Sequence, residues 1–347
     1  MVRCIVSLMV LAACTPFSRP SEPPPNPRPL PGLVKGANLR PVGDERRGYG
    51  SSTARRTMRR LKALGVNTIG VMMEGRMRNL EDLSVEVASR DELEPTRQAL
   101  LDAHALGFAT VLIPHIYLDD GSWRGHLRFA SRAESDRWWR SYEQFMLTAA
   151  EVATAGGASV LSIGVELKAL SGLSETETRM SALASRIRQE FEGALTYSAN
   201  WDEAEDVSFW HVVDLIGVNA YYPLRPDPIR GAEKVAEQLS ALAEKAARPV
   251  VILEVGYRSS PLPHVRPWEW PQDVNALVDQ EAQARVWAAA LSNWLGAAGI
   301  QGLLVWVIPT DPDDPASEPA HGFNPLNKRA EAVIARAFGG VVQHAAE

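Results

Sequence analysis

From residue 33 to 338 the chain repeats one phrase: an amphipathic helix, often a glycine stop, then a short apolar run. The runs occupy residues 33–38, 66–72, 109–115, 159–166, 195–200, 214–221, 249–254 and 302–308. They are continuous rather than alternating, as expected of strands buried on both faces of a parallel sheet. The intervening helices each carry an apolar stripe. Met58, Leu61 and Leu64 form one before the second run, with Gly65 as the stop. Trp138, Tyr142, Phe145, Ala149 and Val152 form another before the fourth, stopped by Gly156 and Gly157. A last helix over 328–338 closes the chain. Eight βα units in succession predict an α/β fold with a single closed (β/α)8 TIM barrel. An open doubly wound sheet fits less well, because no Gly-x-Gly-x-x-Gly follows the first run. Unit length varies too much for a solenoid.

The composition supplies a large core: 347 residues, 46% hydrophobic and 22% charged. A net charge of -6 argues against a nucleic-acid partner. Arg55, Arg56, Arg59 and Arg60 read as a solvated helix face. Residues 1–13 read as a signal peptide, with Arg3 before an apolar segment too short to span a bilayer as a mature helix. Leu11-Ala-Ala-Cys14 resembles the bacterial lipobox, which implies a lipidated Cys14 and a membrane-anchored protein of the cell envelope. Thr15 rather than Asp follows, which in a Gram-negative cell favours the outer membrane; a plain secretory signal would release the protein instead. Residues 14–32 are proline-rich and read as an extended tether. The folded domain is expected over 33–347, as a monomer. Cys4 leaves with the signal peptide, so no disulfide and no cysteine metal site are expected.

In a barrel, residues at the C-terminal strand ends face one shared pocket. Read in order, these are Asn38 and Arg40; Glu74; His115 and Tyr117; Glu166; Asn200 and Trp201; Asn219, Tyr221 and Tyr222; Glu254 and Tyr257; and Trp306. Two of the apolar runs end in glutamate, Glu166 and Glu254, and burying such a charge is costly unless it has a use. Paired carboxylates beside aromatic rings and amides are what sugar hydrolysis needs. Each position has a structural alternative. Trp306 could plug the barrel end, and Tyr221 and Tyr222 could be core and rim packing. His115 could be a hydrogen-bonded structural residue, Glu74 could cap a helix or pair with Arg76 or Arg40, and Asn200 and Asn219 could satisfy loop backbone. Their coincidence in register favours a site.

Other barrel and hydrolase chemistries lack their motifs. There is no His-x-His after the first run, no His-Glu-x-x-His and no Gly-x-Ser-x-Gly. The segment after the eighth run, Pro309-Thr-Asp-Pro-Asp-Asp-Pro, is acidic and hostile to phosphate. No metal and no cofactor are therefore expected.

Several segments resemble glycoside hydrolase family 113, the endo-β-1,4-mannanases, within the clan of retaining (β/α)8 glycosidases. They are Leu64-Gly-Val-Asn67, Pro114-His115, Asp120-Gly-Ser-Trp-Arg-Gly125 and Ile163-Gly-Val-Glu-Leu167. Further on come Tyr197-Ser-Ala-Asn-Trp201, Phe209-Trp210, Ile216-Gly-Val-Asn-Ala-Tyr-Tyr-Pro223, Glu254-Val-Gly-Tyr-Arg-Ser259, Gln280-Glu-Ala-Gln283 and Gly322-Phe-Asn324-Pro. The resemblance implies Glu166 as general acid/base and Glu254 as nucleophile, with Tyr221 or Tyr222 hydrogen-bonded to it. It implies Trp306 as the floor of the subsite where the bond is cut, and Asn200, Trp201, Asn219, His115, Trp123 and Arg124 as residues that contact the polysaccharide or oligosaccharide substrate. The wider clan places Asn before its acid/base; here that position is Val165, a departure that bears on activity and substrate. Two other expectations stand beside this one: a tethered glycan-binding scaffold without activity, and a retaining β-glycosidase for another cell-wall or extracellular polysaccharide.

Overall fold

The computed structural model describes residues 23–270 and 276–342. Cys14, the signal segment and the first part of the proline-rich stretch lie outside the described residues.

The elements follow the expected alternation except at one unit, where only a short 3-10 helix over Trp210–Val212 precedes the strand at Ile216–Asn219. They are β1 (Val34–Arg40), α1 (Ser52–Ala63), β2 (Thr68–Met77), β3 (Glu86–Val87), α2 (Arg90–Ala105), β4 (Ala109–Leu118), α3 (Arg132–Gly156) and β5 (Val160–Val165). Then come α4 (Lys168–Ser171), α5 (Ser174–Ile187), β6 (Ala194–Asn200), β7 (Ile216–Asn219), α6 (Pro228–Ala246), β8 (Val250–Val255), α7 (Gln280–Trp294), β9 (Ile300–Pro309) and α8 (Arg329–Phe338). All strands but β3 run parallel, and β1 pairs with both β2 and β9, which closes the ring. This is the eight-stranded TIM barrel.

Local chemistry sets the helix ends. The Ser51 side chain accepts from the Ala54 amide at the start of α1, Ser131 does the same for Glu134 at α3, and Asp227 caps α6 with Pro228 following. Gly157 ends α3 in the left-handed region at φ 66°. The helices bury their stripes against the outside of the barrel. Inside, Val34, Val111, Ile113, Val160, Val165, Leu215, Val251, Leu253 and Leu304 form a separate apolar plug.

Two further features differ from the expectation. The second apolar run stops at Met72, yet β2 continues to Met77 and carries the short antiparallel β3. Over 74–77 the strand alternates exposed and buried residues, so its outer end has one solvated face and loses the all-apolar signature. The described part of the proline-rich stretch, residues 23–32, is seated on the barrel rather than free. Leu30 packs against the apolar plug. Gln301 Nε2 donates to the Pro31 carbonyl at 2.9 Å, and the His104 ring contacts the Asn26 carbonyl at 3.1 Å. Proline removes backbone donors but leaves carbonyls that side chains can reach.

Candidate active site

The C-terminal strand ends surround a cleft of about 610 Å³. Glu166 follows β5 with φ 50°, a left-handed conformation that is costly for any residue with a Cβ. That turn carries its side chain into the cleft, where the residue is 8% exposed. Oε1 accepts from Asn219 Nδ2 at 2.9 Å, and Oε2 accepts from Trp123 Nε1 at 2.9 Å and Arg124 at 2.8 Å. Arg124 also donates from Nε to the Val165 carbonyl at 3.1 Å, so one guanidinium ties the β4–α3 loop to the tip of β5.

Glu254 reaches the same cleft from inside β8. Its Oε2 accepts from the Tyr221 hydroxyl at 3.1 Å. Its Oε1 lies 3.5 Å from His115 Nε2, too far for a hydrogen bond, and neither atom has a protein partner. Burial, then the charge of Glu166, push the Glu254 carboxyl up to about 8, against the opposing pull of Arg124 and the Tyr221 hydrogen bond. Burial, then the charge of Arg124, hold His115 well below its usual range, so its ring is neutral at physiological pH. The site thus keeps two carboxyl groups in one poorly hydrated space, where a proton remains on the pair up to about pH 8.

Aromatic rings form the walls. Tyr117 stacks on His115 at 5.7 Å between centroids, and Trp306 lies 6.1 Å from the same ring. Trp201 and Trp268 stack at 5.5 Å, while Trp270 meets Trp306 and Phe323 edge-on. Trp268 and Trp270 are 42% and 44% exposed, apolar area unusual on a surface that nothing covers.

Of the residues singled out in the sequence, His115, Tyr117, Trp123, Arg124, Glu166, Asn200, Trp201, Tyr221, Glu254 and Trp306 line this one cleft. Asn219 is fully buried behind it and acts on Glu166 rather than on the space itself. Between the two tyrosines, Tyr221 holds Glu254, and Tyr222 instead packs edge-on against Trp201 at 5.6 Å. Consecutive residues leaving a strand point opposite ways, so only one could face Glu254. Glu74 pairs with Arg76 at 3.7 Å outside the cleft, Tyr257 is a core residue against Trp287, and Asn38 is fully buried with its amide donating to the Leu253 carbonyl. Asp202 and Phe323 line the cleft and were not singled out as site residues. Phe323 comes from the long segment after β9, where no periodicity points to a site.

The model of Glycoside Hydrolase Family 113 matches residues 42–322. Among solved structures, the chain is similar to the GH113 β-mannanase AaManA from Alicyclobacillus acidocaldarius in complex with ManMIm. The two share 28% identity and a TM-score of 0.79 over 89% of this chain and 98% of that one. A GH113 β-1,4-mannanase structure at 18% identity shares the fold, with a TM-score of 0.79 over 89% of this chain and 99% of that one. A GH2 β-galacturonidase from Eisenbergiella tayi, 14% identical, shares it more loosely, at a TM-score of 0.57 over 89% of this chain and 51% of that one. No curated protein sequence matches the chain.

Proposed function

Since the chain belongs to glycoside hydrolase family 113, and is thus a glycoside hydrolase, we propose that it cleaves β-1,4-mannan or a related β-linked polysaccharide with retention of configuration. Glu254 is the nucleophile and Glu166 the general acid/base. The observation that carries this reading is the pair itself: two buried glutamates from β5 and β8 facing one aromatic-walled cleft, each held by a neutral donor, Tyr221 or Asn219. The mannanases among the similar structures favour mannan as the substrate.

In the first step Glu254 attacks the anomeric carbon while Glu166 protonates the departing oxygen; water then releases the sugar with Glu166 as base. Attack needs Glu254 ionised and Glu166 protonated, so the proton of the pair must lie on Glu166. Arg124 and Trp123 both donate to Glu166 Oε2. The Arg124 charge and the Tyr221 hydrogen bond both favour the ionised form of Glu254 that attacks. The aromatic walls offer flat faces to the C–H surfaces of a sugar chain.

The test is product analysis on mannan, glucan, xylan and chitin oligomers, with the anomer first formed read by proton NMR. Release of β-configured ends from mannan is expected. No release from any oligomer, or release of inverted ends, overturns the reading.

Lipidation of Cys14 belongs to the same proposal. Residues 23–32 lie at the plugged end of the barrel, opposite the cleft. A lipid at Cys14 would therefore leave the cleft facing away from the membrane, toward external polymer. Cys14→Ser is expected to move the protein from the membrane fraction to the soluble one; unchanged partitioning overturns the anchor.

A further inference from the structure

The acid/base assignment leaves one cluster unused. Behind Glu166 lies a second buried glutamate, Glu203, only 2% exposed, on the turn after β6. It is joined to the acid/base by a short chain of hydrogen bonds. The backbone amide of Leu167, the residue after Glu166, donates to the Tyr197 hydroxyl at 2.7 Å. That hydroxyl in turn donates to Glu203 Oε1. Glu203 Oε2 accepts from the Asn200 amide at 2.9 Å, which anchors the carboxyl to the tip of β6. On the other side of Glu166, its own amide donates to the Ser198 carbonyl at 2.8 Å.

The peptides flanking Glu166 are thus both pinned to β6, one through backbone and one through Tyr197. Glu166 itself has the strained φ of 50°, which persists only where its surroundings over-determine it. Tyr197 cannot move to accommodate a change, since its fully buried ring is wedged edge-on against Phe209 at 5.0 Å. Donating its one hydroxyl proton to Glu203 turns the lone pairs of Tyr197 toward the Leu167 amide. Glu203 therefore orients Tyr197, and Tyr197 fixes the peptide that aims Glu166.

We propose that Tyr197 and Glu203 are positioning residues for the proton transfer performed by Glu166. This rests on the acid/base reading of Glu166. A purely structural role for the pair, capping the turn over residues 200–206, is the competing explanation, and leaving-group dependence separates the two. Cleavage of a natural mannan oligosaccharide needs protonation of the leaving oxygen; cleavage of a 2,4-dinitrophenyl β-mannobioside does not.

The experiment measures kcat/KM, which reports the first bond cleavage, on both substrates for the wild type, Glu166→Gln, Tyr197→Phe and Glu203→Gln. For Tyr197→Phe, kcat/KM is expected to fall about tenfold or more on the oligosaccharide. On the dinitrophenyl glycoside it is expected to stay within about twofold of wild type. Glu203→Gln should show the same split more weakly, since its amide oxygen still accepts from Tyr197, and it serves if Tyr197→Phe does not fold. Equal losses on both substrates, or none, overturn the inference. If Glu166→Gln shows the split while the other two variants do not, only the positioning role falls. If the wild type cleaves neither substrate, the mannanase reading falls and this one with it.

Discussion

At the scale of single residues, the cleft concentrates unfavourable choices. Glu254 is buried in a strand, and its folded-state pKa is raised to about 8 from an ordinary carboxyl value near 4.5. The native state therefore holds a proton that the unfolded chain gives up, and stability is lost as pH rises from about 4.5 to about 8. Glu203, pushed up to about 7 by burial, adds to the loss in the same direction. Glu254→Gln removes the larger cost: its Tm should exceed that of the wild type at pH 9, and the two should converge at pH 4. The same substitution should lower kcat by about two to four orders of magnitude, as should Glu166→Gln, measured on mannan oligosaccharides. The proposed mechanism needs one proton on the pair, so the alkaline limb of kcat/KM is expected near pH 8, where Glu254 gives up its proton. A limb two units higher would contradict the shared proton. Glu166 and Glu254 were legible in sequence because a charge ending an apolar run is conspicuous. Tyr197 and Glu203 were not, because a hydrogen-bond relay through a tyrosine leaves no spacing signature.

At the scale of elements, the barrel depends on close approach at its seam. In β9, Gly302 has φ 137°, and a Cβ there would lie 2.0 Å from the Val34 carbonyl oxygen of β1. No side chain relaxation relieves a clash with backbone, so Gly302→Ala should destabilise the protein by about 1–3 kcal/mol or more, read by denaturant unfolding. The strands and helices were visible as apolar runs and stripes, yet β2 outran its apolar run because its outer end has a solvated face. The segment between β8 and α7 carries Trp268, stacked on Trp201 from the turn after β6. Trp268→Ala is expected to raise KM for longer oligosaccharides by about threefold to tenfold with kcat little changed. An unchanged KM across chain lengths would mark the ring as packing alone. No sequence pattern announced that partnership, since loop contacts follow from where the strands place the loop ends.

At the scale of the whole molecule, the barrel has a closed end and a working end. Residues 23–32 cover the apolar plug with Leu30, and Gln301 holds the Pro31 carbonyl. A chain lacking residues 1–32 should lose about 1–3 kcal/mol of stability while kcat on mannan stays unchanged, because the cleft lies at the other end. A fall in kcat without loss of stability would mean that the two ends communicate. The order of strands, the kind of residue at each tip and the pair of glutamates were determined by sequence, since burial and strand direction impose local patterns that survive in one dimension. Which tyrosine holds Glu254, what pins Glu166, and the covering of the barrel floor by a proline-rich stretch were decided only by the tertiary structure. Those contacts join residues from different units, and their partners are chosen by ring closure and side-chain direction rather than by any spacing along the chain.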